Sequence, residues 1–189
     1  MKVIDITQEL FSCNVYPGDN PPSFKRVKNL DSDGYNLTNI SLSVHNGTHM
    51  DAPGHFVKGG KSVDELDLSI FYGDCTVAEL SGVTGKAEMS AILKTCKERL
   101  IIKGEFKITK EAAEAVANSH IRLIGIESQS VGTLDDPVTV HMILLQKGII
   151  PLEGLVLSNV KCGEYILSAL PLNLNGSDGS PVRAVLIEI

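Results

Sequence analysis

Between His45 and His55 the chain gathers three of its five histidines, one aspartate, two glycines and a proline in a single run, His45-Asn46-Gly47-Thr48-His49-Met50-Asp51-Ala52-Pro53-Gly54-His55. Glycine and proline each penalise a helix interior, so these histidines do not form an i, i+4 pair on a helix face. The run predicts a strand leading into a tight, folded loop. Neutral imidazole nitrogens beside a carboxylate oxygen suit a borderline divalent metal such as zinc, or manganese if more oxygen ligands join. Catalytic sites often combine three protein ligands with water. The spacing His-x3-His-x-Asp-x3-His therefore predicts a metal site drawn from His45, His49, Asp51 and His55, with metal-activated water as its chemistry.

The rest of the composition narrows what surrounds that site. A chain of 189 residues suits one domain, residues 1–189, with a substantial core. Hydrophobic content is 43% with no tryptophan and only 5% aromatics, so Ile, Leu and Val must build the core, which favours a β-containing globular protein. The net charge of −6, without a lysine or arginine block, argues against a nucleic-acid partner. Cys13, Cys75, Cys96 and Cys162 are far apart and form no Cys-x-x-Cys pair, which disfavours a structural zinc and a disulfide scaffold alike. Asp5 and Glu9 interrupt any apolar signal core, and no apolar run reaches the length of a membrane span. These features predict a soluble cytoplasmic protein with reduced thiols and no membrane contact.

Pattern reading predicts strands at residues 3–6, 37–44, 74–80, 121–126, 149–150, 165–170 and 182–189, the second of them delivering His45 at its end. Thr109 is a plausible N-cap for a helix running to about Asn118, because Glu111 sits in its first turn and Ala112, Ala113 and Val116 share a face. Further helices are expected within residues 88–99 and over 139–147, the last stopped by Gly148. The result is mixed α and β without the long regular βαβ alternation of a doubly wound sheet. His141 falls on the third helix, and Glu153 follows beyond a short strand. By themselves they read as a partly buried helix histidine and a solvated turn carboxylate.

The run from His45 to His55 matches throughout the His-x-Gly-Thr-His-x-Asp-x-Pro-x-His signature of the cyclase-like metal-dependent hydrolases, the family that includes bacterial kynurenine formamidase and isatin hydrolase. The resemblance extends nearly end to end through Asp5 to Gln8, Pro17 to Asp19, Ile124 to Ser130, Pro151 to Leu155 and Leu170 to Ala184. It implies a swivelling β/β/α fold in a single domain, with the site near a subunit interface of a homodimer or homotetramer. It also implies that His45, His49 and Asp51 bind one divalent ion, zinc or manganese. Asp51 would bridge to a second ion held by His141 and Glu153 in members that bind two. His55 matches the residue credited with proton transfer, with coordination as its other role.

What the resemblance implies about chemistry is hydrolysis of a small amide, an arylformamide such as N-formylkynurenine, by metal-activated water. A cyclic amide, imide or lactone of the isatin kind is the alternative substrate, and a metal-dependent binding protein without turnover is the alternative class. Retention of His55 beside a complete ligand set favours catalysis. Glu127-Ser128-Gln129 and Val131 to Pro137 depart from the family pattern in an expected pocket-lining loop, which leaves substrate identity open. Cys162, in a glycine-containing turn, reads as a plain thiol and not as a nucleophile.

Overall fold

The computed structural model describes residues 1–188; Ile189, the end of the strand expected over residues 182–189, lies outside them. In chain order the strands of the first half are β1 (Val3–Asp5), β2 (Ser23–Lys28), β3 (Leu37–Ser41), β4 (His49–Asp51), β5 (Tyr72–Glu79) and β6 (Gly82–Thr84). They are followed by β7 (Arg99–Lys103), β8 (Phe106–Ile108), β9 (Leu123–Ile126), β10 (Ile150–Glu153), β11 (Gly163–Ser168), β12 (Gly179–Pro181) and β13 (Val185–Glu188). The α-helices are α1 (Leu30–Asp33), α2 (Lys86–Leu93), α3 (Lys110–Ala117) and α4 (Thr139–Leu145).

The principal sheet has the order β1-β13-β11-β5-β7-β9-β10-β4-β12. Its centre, β5-β7-β9-β10, is parallel and its flanks are antiparallel. Strands buried on both faces read as continuous apolar runs, and Leu100, Ile101 and Ile102 of β7 are all fully buried. Side chains alternate across the pleat: Ile101 and Leu123 join one cluster with Met50, Leu152, Leu167 and Leu186. Leu100, Ile102 and Ile124 join another with Met89, Ala112, Val116 and Leu144 of the helices. Laid flat, nine strands would span about 38 Å. Met50 near one edge and Leu186 near the other nevertheless share a cluster, so the sheet curls around it. Just past β1, Ile6 completes the curl, donating its N–H to Ala184 and accepting from Val156 at 3.0 Å each.

Most expected elements are present with shifted ends. Thr109 does cap α3, its hydroxyl accepting from Ala112 N–H at 3.2 Å, with Ala112, Ala113 and Val116 buried. The helix expected within residues 88–99 ends at Leu93, and Arg99 already opens β7. The apolar run after Arg99 satisfies a central parallel strand better than a helix face. Two corrections bear on the site. The strand expected to deliver His45 stops at Ser41 and pairs only with β2 in a separate two-stranded ribbon, every residue of β3 being exposed. Period-two alternation reports a pleated element without saying what covers it. The run itself is ordered the other way: His45 to Thr48 form the turn, and His49–Asp51 form β4.

Candidate metal centre

β4 lies between β10 and β12, with His49 opposite Glu153 and Asp51 opposite Gly179. On this short strand His49 and Asp51 point to one face while Met50 enters the core, fully buried. Glu153 is therefore no solvated turn residue: it ends β10, faces the same side as His49 and is 2% exposed. Val131 N–H holds its Oε1 at 2.7 Å. Behind it Gly154 adopts φ +69°, and a Cβ there would strike the Gly47 carbonyl, so only glycine lets the end of β10 approach the turn before β4. His141 projects from α4, whose Val140, Leu144 and Leu145 are buried beside it. Proline at the start of a 3-10 turn, Pro53–His55, brings His55 back over the end of β4.

Hydrogen bonds fix which ring nitrogens are free. His49 Nδ1 lies 2.9 Å from Gly47 O and His141 Nδ1 lies 2.6 Å from Pro137 O, and a carbonyl only accepts, so both Nδ1 atoms carry hydrogen. In the neutral rings both Nε2 atoms then present lone pairs. His49 Nε2 faces Glu153 Oε2 at 3.3 Å and Asp51 Oδ1 at 3.7 Å; His141 Nε2 faces Asp51 Oδ2 and Glu153 Oε1, each at 3.3 Å. His45 Nδ1 adds a third nitrogen 3.0 Å from Asp51 Oδ1. Asp51 Oδ2 is buried with no hydrogen-bond partner. In the neutral rings these lone pairs converge without a donor, and this nitrogen and oxygen set fits a divalent metal. Two groups of close ligand atoms share Asp51: His45, His49 and Asp51, and Asp51, His141 and Glu153.

Protons are the other partners that could satisfy the array. Burial pulls the His45 imidazole down, but Asp51, with help from Asp178, outweighs it and pushes the ring up to about 9. Burial opposes protonation of His141 too, yet Asp51 and Glu153 push it up to about 10. Asp51 itself, against the burial that would raise it, is held below the usual carboxylate range by His141, His45 and His49. Such mutually perturbed groups in a cleft mark a functional site. His55 differs: burial, its main influence, lowers it, and it stands outside the two groups that share Asp51, meeting His45 and Asp178 in a third, more open one. The fifth histidine, His120, bonds to Cys96 O at 2.9 Å, away from the centre.

The five expected ligand residues and His55 thus line one cavity of about 260 Å³, completed by Tyr16, Asp19, Phe56, Gln129, Ser130 and Pro137. Phe56 stacks on His141 with ring centroids 4.4 Å apart. Of the divergent residues, Gln129 and Pro137 line the cavity, whereas Glu127 turns inward to accept Gly104 N–H at 2.7 Å and Leu157 N–H at 3.1 Å. Sequence reasoning assigned no role to Asp178, whose Oδ2 lies 3.1 Å from both His45 Nε2 and His55 Nδ1. Its signals were an acidic residue inside the glycine- and serine-rich stretch from Asn175 to Ser180 and its place in the family-like block from Leu170 to Ala184.

The Cyclase family model matches residues 4–133. A kynurenine formamidase of Bacillus thuringiensis subsp. konkukian is 36% identical over 97% of this chain and 96% of its own. Another, of Bacillus anthracis, is 36% identical over 98% of this chain and 97% of its own. A solved structure described as a potential metal-dependent hydrolase with cyclase activity superposes with a TM-score of 0.83 at 28% identity, covering 98% of this chain and 96% of that one. Isatin hydrolase A from Labrenzia aggregata, 22% identical over 98% of this chain and 93% of that one, shares the fold with a TM-score of 0.80.

Proposed function

The chain belongs to the cyclase family, and from that membership we propose that it is a metal-dependent amide hydrolase acting on a small arylformamide, with N-formylkynurenine as its leading substrate. The observation that carries the reading is the convergence of acceptor atoms from His45, His49, Asp51, His141 and Glu153 beside His55, in a cavity of about 260 Å³. A space of that size suits a small molecule and not a folded protein. Zinc is the proposed metal and manganese the alternative, one ion or two being held by the groups that share Asp51.

A divalent ion so held supplies Lewis-acid polarisation of the carbonyl and lowers the pKa of water. The chain's own residues supply the proton handling. His55 keeps its Nε2 lone pair when Nδ1–H donates to Asp178, so it takes the proton of the attacking water and returns it to the departing nitrogen. The water oxygen bonds to the formyl carbon as the C–N bond breaks, giving the free amine and formic acid, which ionises to formate by releasing a proton to solvent. Phe56, stacked on His141, offers an apolar edge for an aryl ring.

Turnover of N-formylkynurenine, isatin and a panel of cyclic imides by the metal-loaded protein tests the substrate. The expected result is a kcat/KM for N-formylkynurenine at least roughly tenfold above the others, about the discrimination a pocket contact supplies. Faster opening of isatin would move the assignment to a cyclic amide hydrolase. Absence of turnover on every amide would favour a binding protein.

The enzyme is further proposed to act as a single domain and as a homodimer or homotetramer. Supporting the assembly, Phe24 and Ile40 are cross-strand neighbours on the β2–β3 ribbon, 60% and 58% exposed, with Phe11 packed on Phe24. Two strands without cover are marginal in water. Light scattering should give a dimer or tetramer for the wild type, and a monomer with an unchanged circular dichroism spectrum for Phe24→Asp/Ile40→Asp; a monomeric wild type would remove this part. Among the described residues no helix is long and apolar enough to cross a membrane. The free thiols of Cys13, Cys75, Cys96 and Cys162 support a cytoplasmic location.

A further inference from the structure

Asp178 precedes β12, and the backbone around it is pinned to the ligand-bearing strand. Its carbonyl accepts Ala52 N–H at 2.9 Å, and the next residue, Gly179, pairs with Asp51. Gly179 lies so close under His45 that a Cβ there would be 2.6 Å from the ring's Cε1. The Asp178 side chain reaches back from this fixed point, and Oδ2 meets His45 Nε2 and His55 Nδ1 at 3.1 Å each. The two rings stack, centroids 4.0 Å apart and planes inclined by 28°.

An ionised carboxylate oxygen accepts and does not donate, so both nitrogens facing it carry hydrogen. A neutral imidazole has one N–H, and the opposite nitrogen of each ring must hold the lone pair. For His45 that nitrogen is Nδ1, which also faces a carboxylate, Asp51 Oδ1 at 3.0 Å, so its lone pair is retained only where a metal ion would take the place of the proton between them. For His55 it is Nε2, the atom a proton carrier needs free. We propose that Asp178 is the positioning residue of this hydrolase, one carboxylate oxygen setting His45 as a ligand through Nδ1 and His55 as a base through Nε2. The proposal rests on the hydrolase reading above and extends it to a residue outside the donor set. As a half-exposed ion pair Asp178 would contribute little to stability; its effect lies in which tautomer each ring adopts.

The test uses zinc-loaded protein labelled with nitrogen-15 at histidine, in which long-range proton–nitrogen spectra distinguish the two tautomers. Wild-type His55 should carry hydrogen on Nδ1, and Asp178→Ala should shift it toward a mixture with the Nε2–H form. In the same variant, competition with a chelator should show zinc affinity reduced by roughly 10–100-fold. At saturating zinc kcat should still fall by roughly 10–100-fold with KM nearly unchanged, because the His55 arm is separate from the His45 arm. Asp178→Asn keeps the side-chain shape, so a matching defect in a variant that melts like the wild type excludes simple unfolding. Hydrogen on Nε2 of wild-type His55, or wild-type kcat and zinc affinity in Asp178→Ala, would overturn the proposal. The tautomer and zinc readouts need no substrate, so a failure of N-formylkynurenine turnover alone would strike the substrate reading and leave the tautomer assignment supported.

Discussion

Asp51→Asn is expected to leave a folded protein that has lost nearly all of its metal. The asparagine keeps the volume of a side chain that is 1% exposed, so packing against its neighbours survives. The charge does not survive, and Asp51 is the one residue common to both buried groups of ligand atoms. An amide in place of the carboxylate leaves the cation without its charged ligand, and the expected loss of roughly 10²–10⁴ in metal affinity corresponds to about 3–5 kcal/mol of binding. Elemental analysis after gel filtration should therefore find below about a tenth of the wild-type metal, with hydrolysis falling in parallel. Circular dichroism should match the wild type. Full metal content in the variant would show that Asp51 is a buried partner of the histidines and no ligand.

His55→Ala should separate chemistry from binding: metal retained, kcat lower by about 10²–10⁴, the usual contribution of a positioned acid or base. The geometry behind this is the position of His55 outside both buried ligand groups, its ring stacked on His45 and its Nδ1 held by Asp178. Lost proton delivery hurts poor leaving groups most, so an activated ester of the same acid should suffer less than the formamide. An equal loss on both substrates would assign His55 to water activation alone. Metal loss in step with activity would make it a ligand instead.

Some of this site was legible because its chemistry is local. The glycines and proline between His45 and His55 exclude a helix, and four ligand-type side chains so close in sequence must be close in space. Thr109 likewise announces α3, since a cap and its helix are neighbours along the chain. Resemblance to a family pointed to His141 and Glu153, which spacing by itself left as an ordinary helix histidine and a surface carboxylate.

Other features depended on strands meeting across the fold. β10 aligns beside β4 so that Glu153 stands opposite His49, which turns an expected turn residue into a buried one. The apolar alternation of residues 37–44 was real, yet it belongs to a ribbon outside the principal sheet, because a pleat records which residues share a face and not what packs on it. Asp178 lies 123 residues from His55, and no local pattern connects them. Sequence alone determined that ligand-type residues cluster in a folded run near the end of the first quarter of the chain. The tertiary structure decided which partner faces each ring nitrogen of His45, His55 and His141, since that depends on the Asp178 carboxylate brought up just before β12 and on the Pro137 carbonyl in the turn before α4.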